Sequence, residues 1–281
     1  MQDARWLFFD LGNTLISEER AWERRIQRLA SSLERYGRRR AIEEVRAALR
    51  EASEEFAPRL ITRAIEKLID DPECRKLILA EARYDKELES PYEGAEETLR
   101  KLSSGYRIGV IANQPAGTEE RLVKWGLMPF ISICLSSTEV GLEKPDPAIF
   151  QLALSQSGCE PEQAVMIGDR LDYDIRPARL LGWKTIRIAQ GFARFQSPRD
   201  GMDEADITLA NLKGLVPVFM SSLVGLVTET ALSPLHPELP RCRGTAGRPR
   251  ARHFLRNGAA LGTEVRSRDR TTAASASPSA E

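Results

Sequence analysis

Six short apolar runs, at residues 6–9, 108–112, 131–135, 165–167, 185–188 and 207–209, constrain the fold more than any other feature of this chain. They read as strands buried on both faces, the pattern of a parallel sheet covered by helices. Amphipathic stretches near 95–103, 118–126, 147–157, 173–181 and 211–219 predict those helices. Asp146-Pro147 opens one of them, because Asp accepts from the free amides of a first turn and Pro suits the first helical position. Strand–helix alternation of this kind predicts an α/β fold: a doubly wound, mostly parallel sheet that binds ligands at the carboxyl ends of its strands.

Two zones break the alternation. Residues 16–90 hold no strand-like run. Apolar stripes such as Ile26, Leu29 and Leu33, or Val45, Leu49 and Phe56, predict helices over 21–36, 41–56, 59–69 and 73–84, punctuated by Gly37, Pro58 and Pro72. Residues 221–281 are rich in Arg, Ala, Ser, Pro and Gly, with nine Arg, no Lys and five acidic residues, and predict a disordered tail. The expected division is a core from 1–15 and 91–220, a helical insert at 16–90, and the tail.

Composition removes several classes of function. Lys+Arg and Asp+Glu are both 41, so nothing in the charge points to a nucleic-acid role for the core or to an anionic membrane surface. The apolar stretch 215–232 is interrupted by Pro217 and Glu229 and falls short of a membrane span. The opening run reaches Asp10 too soon for a secretory signal, and the four cysteines form no CxxC pair, so a reduced, cytoplasmic setting is expected. Both histidines, His236 and His253, lie in the tail, which excludes His-ligated metals, Ser-His-Asp triads and a His base from residues 1–220.

Four segments carry chemistry-bearing residues where strands end. Phe8-Phe9-Asp10-Leu11-Gly12-Asn13-Thr14 puts a carboxylate and a Gly turn after the first run; such an Asp is a nucleophile, a metal ligand, both, or a turn cap. Ile167-Gly168-Asp169 is followed by Asp172 and Asp174, and oxygen ligands from two strand ends suit Mg²⁺. Gly141-Leu142-Glu143-Lys144-Pro145-Asp146-Pro147 keeps one of only eight Lys, a point charge able to offset clustered carboxylates and a phosphoryl group. Val110-Ile111-Ala112-Asn113-Gln114 ends a fourth run in polar residues.

Over about residues 4–220 these segments, in this order, resemble the haloacid dehalogenase (HAD) superfamily of phosphotransferases and hydrolases, in its helical-cap, phosphoglycolate-phosphatase-like group. The resemblance implies a Rossmann-like core with residues 16–90 as the cap. It implies an Mg²⁺-dependent hydrolase of a small phosphorylated metabolite, with Asp10 attacking phosphorus to give an aspartyl-phosphate. Asp10, Asp169 and the backbone carbonyl of Gly12 would bind Mg²⁺, with Asp174 supporting the metal through water or orienting Lys144. Lys144 would neutralise the nucleophile and the phosphoryl group, and Asn113 would line the phosphate pocket.

Two positions depart from the family pattern. Gly12 stands where the second Asp of the first motif, the general acid/base, belongs, and Ala112 stands where a Ser or Thr bonds a phosphoryl oxygen. Positioned acid/base help is worth about 10²–10⁴-fold and one oxyanion donor about 10²–10³-fold. The departures imply a slow phosphatase, a replacement acid, or a chemistry that needs no protonated leaving group. Glu18, Glu19 and a carboxylate of the helical zone are the candidate replacements. A non-catalytic binding protein and a metal-independent carbon–halogen hydrolase are the alternatives; the intact Gly168-Asp169 weighs against the second.

Overall fold

The computed structural model describes residue 1 and residues 3–220. The expected tail, both histidines, Cys242 and most of the 215–232 stretch lie outside these residues. The elements in chain order are β1 (Trp6–Phe9), β2 (Ile16–Ser17), α1 (Glu19–Arg35), α2 (Ile42–Glu54), α3 (Leu60–Leu68), α4 (Pro72–Glu81), β3 (Ser90–Pro91) and α5 (Ala95–Leu102). Then come β4 (Arg107–Ala112), α6 (Thr118–Lys124), β5 (Ile133–Ser136), α7 (Ser137–Val140), α8 (Pro147–Ser157), β6 (Ala164–Gly168), α9 (Arg176–Leu180), β7 (Lys184–Ile188) and β8 (Ile207–Leu209).

Six parallel strands form one sheet in the order β5-β4-β1-β6-β7-β8. The chain starts at β1, builds outward through β4 and β5, then crosses back to β6, β7 and β8. Its direction of growth therefore reverses at β1, and the crevice at the carboxyl ends of β4, β1 and β6 is the topological switch point where such sheets bind ligands. The apolar runs have no polar face because both faces are covered. Leu7 and Phe9 pack with Leu99, Val110, Ile167 and Phe219 on one side, and Trp6 and Phe8 pack with Ile149, Phe150, Met166 and Trp183 on the other.

The four helices between β2 and β3 carry a separate apolar core. Ile26, Leu29 and Leu33 of α1 meet Val45 and Leu49 of α2, Ile61 and Ile65 of α3, and Ile78 of α4. Phe56 departs from the expected stripe: α2 stops at Glu54, and Phe56 takes a left-handed conformation with the Arg199 guanidinium 4.0 Å above its ring. The insert is tied at its base by β2 and β3, an antiparallel pair of two residues each that no sequence pattern marks. It is tied again where the Ser53 hydroxyl donates to the Phe192 carbonyl, 2.8 Å away.

The predicted helix over 173–181 opens instead as a wide turn, Leu171–Ile175, before α9. That over 211–219 is a tight turn, Leu212–Gly214, followed by helical residues 215–220. Cys74, Cys134 and Cys159 are free thiols, and among the described residues no helix is long and apolar enough to cross a membrane.

Asp146 caps α8, its carboxylate accepting the Ala148 N–H at 2.8 Å. Asp146→Ala is expected to cost about 1 kcal/mol, and Phe8→Ala, which empties a fully buried site between Trp6 and Trp183, about 3–5 kcal/mol. Urea unfolding should show both as lower midpoints at unchanged slope. An equal loss for the two would contradict this reading of the core.

Candidate active site

The Asp10 N–H donates to the Ile167 carbonyl of β6 at 2.8 Å, so the chain keeps its sheet register one residue past β1 before it turns. Asp169 leaves β6 in the same way, directly after Gly168. Lys144 comes from the segment between α7 and α8, which cannot be read as near Asp10 from sequence distance. The side chain of Asn113, just past β4, fastens it. Asn113 Oδ1 accepts the Lys144 N–H at 2.8 Å, and Asn113 Nδ2 donates to the Lys144 carbonyl at 2.7 Å. Lys144 Nζ then donates to Asp10 Oδ1 at 2.7 Å and to Asp174 Oδ1 at 2.5 Å. The second oxygen of Asp174 accepts the Arg170 N–H at 3.0 Å. A Cβ on Gly168 would lie 2.4 Å from the Asp174 carboxyl carbon, so only Gly lets this carboxylate close on the strand end.

Asp10, Asp169 and Asp174 are buried and offer oxygens within 4.8 Å of one another. Burial and the carboxylates of Asp10 and Asp174 raise Asp169 well above the usual carboxylate range. Burial also raises Asp174, to about 6, against the pull of Lys144. Burial acts to lower Lys144, but Asp10 and Asp174 outweigh it and hold the ammonium protonated. Among the described residues no hydrogen bond reaches the Asp169 carboxylate, which borders an open cavity. A buried carboxylate of this kind, beside two others and with no N–H donor, fits a hard cation held by oxygen ligands.

The cavity above these groups has a volume of about 660 Å³. Asp10, Gly12, Lys144 and Asp169 of the sheet core line it together with Trp22, Arg25 and Arg59 of the insert and with Phe192. Arg25 is held by its Nε, which donates to the Ala82 carbonyl at 2.9 Å, and it has no carboxylate within ion-pairing distance among the described residues. Trp22, Arg25, Arg59 and Phe192 have no sequence signal, because nothing in a helical stripe tells how the insert sits on the sheet.

The structure gathers Asp10, Gly12, Asn113, Lys144, Asp169 and Asp174 at one point. Asn113 borders the cavity, and both polar ends of its side chain engage the Lys144 backbone, while its amide keeps a second N–H. Ala112 sits opposite Ser136 on β5. The hydroxyls of Ser136, Ser137 and Thr118 do not substitute for the missing one, because they bond the carbonyls of Gln114 and Pro115. Of the candidate replacement acids, Glu18 lines this cavity, while Glu19 is exposed and lines a different crevice. Burial, then the Glu89 and Asp10 carboxylates, push Glu18 up to about 7.

A glyceraldehyde 3-phosphate phosphatase of Methanopyrus kandleri is 33% identical over 184 residues, 63% of this chain and 79% of its own length. A phosphoserine phosphatase of Thermus thermophilus is 34% identical over 161 residues, 56% of this chain and 63% of its own. Among solved structures, a predicted phosphoglycolate phosphatase from Haemophilus somnus superposes with a TM-score of 0.58 at 19% identity, covering 78% of this chain and 99% of its own, which speaks to the fold alone. The model of the haloacid dehalogenase-like hydrolases matches residues 4–182, which take in all four strand-end segments. The chain belongs to the haloacid dehalogenase-like hydrolase family.

Proposed function

We propose that this hydrolase is a phosphatase of a small phosphorylated metabolite, with Asp10 as nucleophile. The observation that carries the reading is the core side of the cavity: a carboxylate at a strand end, oriented by a buried ammonium, beside a second buried carboxylate with no hydrogen-bond donor among the described residues. Attack by Asp10 Oδ on phosphorus would give an aspartyl-phosphate, which water then hydrolyses. Lys144 Nζ holds Asp10 in position and supplies positive charge where the phosphoryl oxygens would lie.

Asp10, Asp169 and the Gly12 carbonyl would hold Mg²⁺, with Asp174 behind them. When bound, the ion would neutralise the phosphoryl oxygens and align the phosphorus with Asp10. Residues 1–15 and 91–220 are the catalytic core in this reading, and residues 16–90 are the cap that closes it. The cap favours small substrates. Arg25 and Arg59 favour anionic ones, in keeping with relatives named for glyceraldehyde 3-phosphate and phosphoserine. The carbon–halogen alternative leaves Asp169 without a purpose, and the non-catalytic one leaves the Asp10–Lys144 pair without one.

Three outcomes are expected. Phosphate release from a panel of phosphorylated two- to four-carbon metabolites should require Mg²⁺, stop with EDTA and vanish in Asp10→Asn; release undiminished in that variant would end the proposal. Mg²⁺ affinity should rise with pH. Asp169 and Asp174 sit above their ordinary range, Asp174 at about 6, so as pH falls the metal must displace protons that ordinary carboxylates would already have lost. Calorimetry in two buffers of different ionisation heat reads the released protons, and pH-independent binding would remove these carboxylates from the metal site.

Lys144→Met strands two buried carboxylates, Asp10 and Asp174, beside a third. In the metal-free protein it should cost about 3–5 kcal/mol near pH 8. Acids raised in the folded state favour folding at low pH and lose that contribution as pH rises through their folded pKa. The deficit should therefore shrink toward pH 5 in a thermal unfolding series, and a deficit that ignores pH would place the loss in packing instead.

A further inference from the structure

The family pattern leaves the leaving group without an acid at residue 12, and the structure shows what stands there instead. A Cβ built on Gly12 would lie 2.5 Å from Glu18 Oε1 and 3.1 Å from its carboxyl carbon. The Glu18 carboxyl thus fills the space that a side chain two residues beyond Asp10 would enter. It borders the same cavity as Asp10, Asp169 and Lys144.

Its two oxygens are used unequally. Oε2 accepts the Asn13 amide at 3.0 Å and the Trp22 indole N–H at 3.2 Å. Both hydrogen bonds fall on that oxygen, so the carboxyl plane is fixed and Oε1 is turned toward Gly12 and the cavity. Asn13 is two residues downstream of the nucleophile loop's Leu11 and takes a left-handed conformation, and Trp22 lies one turn into α1. The fastening therefore comes from both sides of the junction between core and insert. Among the described residues no other acid meets this geometry. Glu19 faces solvent, Glu143 is exposed, and Glu89 is committed to Arg121 and Lys86.

We propose that Glu18 is the general acid and base of this enzyme, a carboxyl relocated from residue 12 to the first residues of the insert. The proposal rests on the phosphatase reading above. In the first half-reaction Asp10 Oδ bonds phosphorus while the ester P–O bond breaks, its electron pair stays on the leaving oxygen, and Glu18 Oε1 delivers its proton there, releasing an alcohol. In the second half-reaction the Glu18 carboxylate takes a proton from a water whose oxygen bonds phosphorus. The P–O bond to Asp10 breaks, its electron pair returns to the Asp10 carboxylate, and inorganic phosphate leaves. Glu18 ends protonated, as it began.

The test separates the two half-reactions by leaving group. p-Nitrophenyl phosphate releases a stable phenolate and needs no acid in the first step, whereas an alkyl phosphate drawn from the panel above needs one. Glu18→Gln should lower turnover of the alkyl phosphate by about 10²–10⁴-fold. With p-nitrophenyl phosphate it should give a burst of phenolate equal to the enzyme present, then slow turnover, because only the second step lacks its base. A double variant, Gly12→Asp with Glu18→Gly, returns a carboxyl to the vacated space and should exceed Glu18→Gly alone by at least about tenfold on the alkyl phosphate. Glycine is tolerated at the start of a helix, so the comparison does not hinge on folding.

Three results would overturn the proposal: alkyl turnover by Glu18→Gln within about threefold of the wild type, far short of a lost acid; loss of both substrates together with no burst; or no gain in the double variant. Asp10→Asn is run in parallel. If it retains activity, the phosphatase reading fails; if it is inactive while Glu18→Gln is not, only the role of Glu18 fails.

Discussion

Three carboxylates, Asp10, Asp169 and Asp174, stand within 4.8 Å of one another at the buried end of the sheet. Two like charges about 4 Å apart repel by about 4 kcal/mol even at an effective dielectric near 20. The fold tolerates the cluster because Lys144 places one ammonium between two of its members. Much of the local architecture serves that placement. Asn113 grips both backbone groups of Lys144. Gly168 lets Asp174 close on β6, and the wide turn at Leu171–Ile175 turns Asp174 back toward the lysine. Segments 134 residues apart in sequence meet at one nitrogen.

One ammonium does not balance three carboxylates. Asp169 keeps a buried carboxyl that no N–H donor meets among the described residues, and burial and its neighbours raise its affinity for protons. This imbalance is what gives the site a use. A site fully satisfied by its own side chains has nothing to offer a cation or a phosphoryl group, whereas this one is short of positive charge and opens on a cavity. The same imbalance costs stability, a cost that the surrounding apolar sheet and insert cores offset.

The strands and the strand-end residues were legible because both follow from local pattern. A run buried on two faces needs no knowledge of its neighbours, and the turn after it is where a parallel sheet exposes polar side chains. The helices of the insert were legible for the same reason, to within a few residues at each end. What escaped depends on distant parts meeting. The β2–β3 pair is two residues per strand, too short for any period. The commitment of Asn113 to Lys144 joins loops 31 residues apart. Phe56 fits a helical stripe in sequence but lies past the end of α2, in a turn beneath Arg199. The cavity-facing Trp22 and Arg25 belong to an amphipathic helix whose polar side gives no hint of what it faces.

Glu18 shows how the two kinds of information combine. The sequence exposes the gap at Gly12 but cannot fill it, since a carboxyl six residues on has no fixed relation to a strand end until the chain between them is folded. In the structure that stretch turns back on itself, through the Asn13 and Ile16 backbone bond and the short strand β2, so α1 begins beside the nucleophile loop. The absence of a side chain at residue 12 leaves room for this placement, because a Cβ there would displace the Glu18 carboxyl. Moving the carboxyl from the loop to the base of the insert also changes what positions it. A side chain at residue 12 would depend on the core alone, whereas Glu18 is oriented by Trp22 of α1 as well as by Asn13. The insert does not merely cover the cavity; its first helix holds a carboxyl that lines it together with Asp10, so the seating of the insert and the geometry of the candidate site are set by the same contacts.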